Sequence, residues 1–142
     1  MVRYLVQMAM LLAVAGYAWR RGGWPEQAVA GLLVAIVVVD RLFHWLVVSP
    51  QYRQLDLWHL SLDLVMLAVV AVIALRAARV WPLWIASLQV ISTLGHFLNA
   101  IGATMPLQVY WVMTTAPSYL QIFLLAMGTW LNDPRTLAKP PI

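Results

Sequence analysis

Three histidines and two aspartates, spread over three separate apolar stretches, are the residues of this chain best equipped for chemistry. Asp40 and His44 are four residues apart, as are His59 and Asp63, and His96 follows on a third stretch. On a helix that spacing puts each acid on the same face as its histidine. Neutral imidazoles joined by one or two carboxylates form a plausible shell for Zn²⁺, Fe or Cu, so His44, His59, His96, Asp40 and Asp63 are the candidate metal ligands. In either i, i+4 pair the acid can instead accept from the imidazole and fix its tautomer. His44 and His96 are the preferred direct ligands, because they come from non-consecutive segments, and the same two would serve as the axial pair of a haem b. The chain has no cysteine, which excludes thiolate metal sites, Fe–S clusters and disulfides. It also has no HExxH, so no reaction is specified by motif.

The elements that must hold these residues follow from composition. With 63% hydrophobic and only 10% charged residues, the chain lacks the polar surface to solvate a small globular domain. Its mean hydropathy of +0.82 points to lipid as the solvent. Each crossing consumes about 20 residues, so 142 residues make one transmembrane domain, 1–142, with nothing left for a soluble one. Apolar runs at 4–19, 28–48, 57–75, 80–101 and 108–131 predict an all-α integral membrane protein, a compact bundle of five transmembrane helices. The first run is the shortest, carries Gln7, and has a signal-peptide-like core with Ala13-Val14-Ala15 as a candidate cleavage triplet. It is expected to stay with the chain. Four spans plus one interfacial helix is the alternative. Short connections at 20–27, 49–56, 76–79 and 102–107 make neighbours antiparallel. Pro82 suits the first turn of the fourth helix, whereas Pro117 should kink the fifth near Met113.

Basic residues set the expected orientation. Arg20, Arg21, Arg76, Arg79, Arg135 and Lys139 fall on one side, Arg3 and Arg53 on the other, and Arg41 within the second helix. This predicts an inner-membrane protein with its N-terminus outside and C-terminus cytoplasmic. The formal charge of +4 is distributed as membrane anchors, so nucleic acid is not an expected partner. Trp19, Trp24, Trp81, Trp84 and Trp130 are expected at the inner boundary and Trp45, Trp58 and Trp111 at the outer one, mostly as interfacial anchors.

On this frame the costly residues share one depth. Asp40, Arg41 and His44, then His59 and Asp63 with Asp56 outward of them, then Gln89, Thr93, His96 and Asn99 occupy the outer or middle parts of their helices. Thr114, Thr115, Ser118, Tyr119 and Gln121 join them from the fifth helix. At 1.5 Å per residue Asp40 lies roughly 18 Å from the inner end of its helix, near the midplane. A carboxylate there costs several kcal/mol unless paired or hydrated, so these residues are expected to face one polar cavity that opens outward. Four uses fit such a cavity: a transition-metal site, a haem site, a proton, quinone or lipid site, or a hydrogen-bonded network that only fixes helix register. Thr114, Thr115 and Ser118 are expected to satisfy carbonyls freed by Pro117. Besides the lipid bilayer, the expected partners are a larger membrane complex that this chain serves as an accessory subunit, or further copies of itself.

Overall fold

The computed structural model describes residues 2–46, 52–102 and 104–133. Arg135 and Lys139, used above for orientation, lie outside the described residues, as do the side chains of Arg3, Arg53 and Asp56. Five helices follow in order: α1 (Val2–Arg21), α2 (Trp24–Leu46), α3 (Tyr52–Arg76), α4 (Trp81–Ala100) and α5 (Leu107–Leu131). Of these, α2, the Leu57–Arg76 part of α3, and α5 are long and apolar enough to cross a membrane.

At both ends of α1 and α3 and at the start of α2 the helices run further than the apolar runs suggest, while α4 is a residue shorter at each end. The connection expected at 20–27 shrinks to Gly22-Gly23, because Pro25 and Glu26 already form the first turn of α2. A proline is free of cost there, and Glu26 accepts the Gly23 N–H through Oε2 at 2.9 Å. The turn is tied further by Gln27, whose amide donates to the Gly22 carbonyl at 3.2 Å while the Trp19 indole donates to the Gln27 carbonyl at 3.3 Å. Between α3 and α4 the chain reverses through Ala78, which takes a left-handed φ of 49°. Pro82 sits in the first turn of α4, as its type requires. Gly102, at φ 78°, follows the end of that helix. The α-helix α5 continues through Pro117.

Each helix packs on the next in sequence, and α5 packs back on α1, so the five close into a ring with α2 also touching α5. The side chains that fill it away from the polar end are mostly small or aliphatic, including Ala15, Ala18, Val29, Val70, Ile85 and Leu125, with Trp81 among them. Large apolar side chains such as Leu12, Leu42, Leu75, Leu107 and Phe123 point outward, as a lipid solvent permits.

Two of the eight tryptophans depart from the expected anchor role. Trp81 is buried against Gly128, where an added Cβ would lie 2.6 Å from the indole. Trp58 stacks on Phe43 with ring centroids 4.0 Å apart, joining α3 to α2. The other six are exposed.

Candidate functional site

At the end of the bundle where α2 finishes and α3 begins, Asp40 is the meeting point. Its Oδ1 lies 3.4 Å from His44 Nδ1, one turn along α2, and 3.2 Å from His59 Nε2 on α3. Among the described residues, Asp40, His44 and His59 bring one ligand atom each to within 4.8 Å of one another, a cluster able to hold a metal ion. That carboxylate is enclosed by the two imidazoles and by the Trp58 indole N–H, which face it from α2 and α3.

His44 is anchored by its backbone. Nδ1 sits 2.8 Å from the Asp40 carbonyl oxygen, which can only accept, so Nδ1 carries the proton and Nε2 keeps the lone pair. This is the tautomer control that metal-binding imidazoles commonly receive from a carbonyl.

Asp63 and His96 form the adjoining half of the site. The shared face of His59 and Asp63 was read as one pair, but α3 is turned so that His59 reaches Asp40 on α2 while Asp63 meets α4. Asp63 Oδ1 accepts from Gln89 Nε2 at 2.9 Å and Oδ2 from Ser92 at 3.0 Å, with His96 Nε2 3.8 Å from Oδ2. Gln89 is in turn held by Gln121 of α5, which donates to its Oε1 at 2.8 Å. Both glutamines are almost wholly buried, so this chain of amides fixes the carboxylate from below. His96 is steadied on its other side by Tyr110, whose hydroxyl lies 3.2 Å from Nδ1. Gly95 lies against α5: a Cβ there would sit 3.2 Å from Met113 and Thr114, close enough that these side chains would have to give by a few tenths of an ångström.

The three imidazoles follow one another across the helices. His44 and His59 have ring centroids 5.5 Å apart, and His59 and His96 the same 5.5 Å at an interplanar angle of 26°. Beside them lies a cavity of about 370 Å³ lined from all five helices. Asp40, His59, Asp63 and His96 line it, whereas His44 is outside the lining. Gln7 of α1 completes the wall by donating to Ser118 of α5 at 2.9 Å.

Several polar contacts were not evident from sequence, among them the amide chain Gln121–Gln89–Asp63, the Tyr110–His96 contact and the bond from Gln7 to Ser118. The hydroxyls near Pro117 also behave differently from expectation. Thr114 donates to the Tyr110 carbonyl at 3.0 Å and Ser118 to the Thr115 carbonyl at 2.7 Å, neither of them the Met113 carbonyl that Pro117 frees.

Fold and site together define a helical bundle with membrane-spanning helices and a titratable, polar interior at one end. No protein-family model, curated protein or solved structure matches the chain.

Proposed function

We propose that this protein binds a divalent first-row transition ion through Asp40, His44 and His59 at the rim of its polar cavity. The observation that carries the reading is the convergence of those three ligand atoms within 4.8 Å, contributed by two helices. In a tetrahedral shell with bonds of about 2.1 Å, ligand atoms stand roughly 3.4 Å apart. The 3.2 Å contact of Asp40 with His59 is already that edge. Two histidines and one carboxylate suit Zn²⁺ or Fe²⁺ and leave positions open toward the cavity. His96 and Asp63, held by Tyr110, Ser92 and Gln89, stand next to the ion as a second acid and base. A haem clamped between His44 and His96 is less well supported, since the His59 ring lies within 5.5 Å of both neighbouring sets of atoms, where the porphyrin would have to pass.

Elemental analysis and an absorption spectrum of the purified protein test this directly. About one Zn or Fe per chain without a Soret band is the expected result. A Soret band would replace the ion by haem. No metal after Zn²⁺ or Fe²⁺ is supplied would leave the hydrogen-bonded network as the reading, with this chain an accessory subunit of a larger complex.

The site is proposed to face the outside of an inner membrane, on the strength of the basic residues at the opposite end. Arg20, Arg21, Arg76 and Arg79 all belong to that end. A cytoplasm-active reporter fused to the C-terminus should be active and a periplasm-active one silent; the reverse result overturns the orientation.

A further inference from the structure

The polar cavity does not end at its polar residues. A second, apolar groove of about 450 Å³ runs between α1 and α2, lined by Leu12, Val34, Val38, Leu42 and Trp45. Tyr4, Met8, Leu11, Val37 and Arg41 line both, so the groove adjoins the cavity across these side chains. Each volume lies in the range of about 300 to 1,000 Å³ that small-molecule sites occupy.

Arg41 stands where the two meet. Its guanidinium lies 3.7 Å above the Tyr4 ring, and among the described residues it makes no ion pair. The cation–π contact engages one face of the guanidinium and leaves its N–H edge available to a planar anion. The charge of the cavity then selects the ligand. Asp40 and Asp63 against Arg41 leave one net negative charge with the histidines neutral, which repels an anion. A divalent ion at Asp40, His44 and His59 turns that into one net positive charge, matched by a monoanion. A carboxylate fits both features, because its two oxygens suit the guanidinium fork and one of them can take an open metal position. The groove is a single channel between two helices, so it accommodates one tail; a two-chain phospholipid would need a second.

We propose that the cavity and groove together bind a single long-chain carboxylate, a free fatty acid, with its head between Arg41 and the metal and its tail between α1 and α2. This rests on the metal reading above. Palmitate binding to the detergent-purified, Zn²⁺-loaded full-length protein tests it, with metal content measured on every sample. One palmitate per chain is expected, and binding at least about tenfold weaker in R41Q, at unchanged zinc content, because the charge-assisted pair is lost. V37W, which fills the shared wall, should likewise lose palmitate while keeping zinc. His44→Ala should lose both. Equal palmitate affinity in wild type and R41Q, equal affinity with and without zinc, or equally tight binding of a diacyl phospholipid would each overturn the proposal. A wild-type protein that keeps its zinc and takes up no palmitate would overturn it while sparing the metal site. Failure of the metal reading shows separately, as absence of zinc.

Discussion

Replacing Asp40 by Ala should abolish stoichiometric metal, raising the dissociation constant by more than about 100-fold, since even the loss of an outer hydrogen-bond partner at a metal site costs about 10 to 100-fold. Asp40 touches both histidines of the cluster, at 3.4 and 3.2 Å, and its Oδ1 is enclosed between them. His96→Ala is the informative contrast. His96 is engaged by Asp63 and Tyr110 and lies one ring beyond His59, so its loss is expected to cost about tenfold or less, the lower end of an outer-partner effect. Metal retained after dialysis against a competing chelator, read by elemental analysis, separates the two. If His96→Ala proves as damaging as Asp40→Ala, the ion sits between His44 and His96, or nearer Asp63, and the assignment to the Asp40 cluster fails. Asp40→Asn adds a further check: it keeps the shape of the side chain and one oxygen ligand, so metal lost from it as well would show that the charge matters.

Run length and the ends of the apolar segments are enough to find all five helices, three of them long and apolar enough to cross a membrane, because a bilayer core requires about 20 apolar residues per crossing. The i, i+4 spacing also gave the Asp40–His44 contact, which lies within one helix and needs no knowledge of its neighbours. What spacing cannot supply is the rotation of one helix against another. His59 and Asp63 share a face of α3, yet one turns to α2 and the other to α4, because the face is wide enough to serve two neighbours. The Tyr110–His96 contact is beyond spacing for the same reason, since it joins α5 to α4. Trp81 looked interfacial by position, and its burial depends on the bare surface that Gly128 offers from α5. Glu26 falls in the connection expected at 20–27 and yet opens α2. The sequence Trp24-Pro25-Glu26 did carry a signal, a proline and an acid together, which is how a helix commonly starts.

Arg79→Ala should destabilise the protein more than Glu26→Gln, although the two residues form one ion pair. Glu26 is wholly buried in the first turn of α2, with its carboxylate oxygens shared between the Arg79 guanidinium and the Gly23 N–H. Arg79, in the α3–α4 connection, keeps 31% of its side chain exposed. Removing the arginine strands a carboxylate that water cannot reach, a loss of about 3 to 5 kcal/mol for a broken buried pair. Removing the charge of Glu26 leaves a neutral amide that still accepts from Gly23, while Arg79 turns to solvent, so a loss of about 1 to 3 kcal/mol is expected. The pair joins the α1–α2 turn to the α3–α4 turn, at the end of the bundle away from the metal cluster. Its loss should therefore lower the midpoint of thermal unfolding in detergent without changing metal stoichiometry in the folded fraction. The double variant Glu26→Leu with Arg79→Leu should recover much of the loss, because it removes the buried charge along with its partner. Equal damage from the two single variants, or a double variant less stable than Arg79→Ala alone, would show that the contact acts through packing rather than through the cost of an unpaired buried carboxylate.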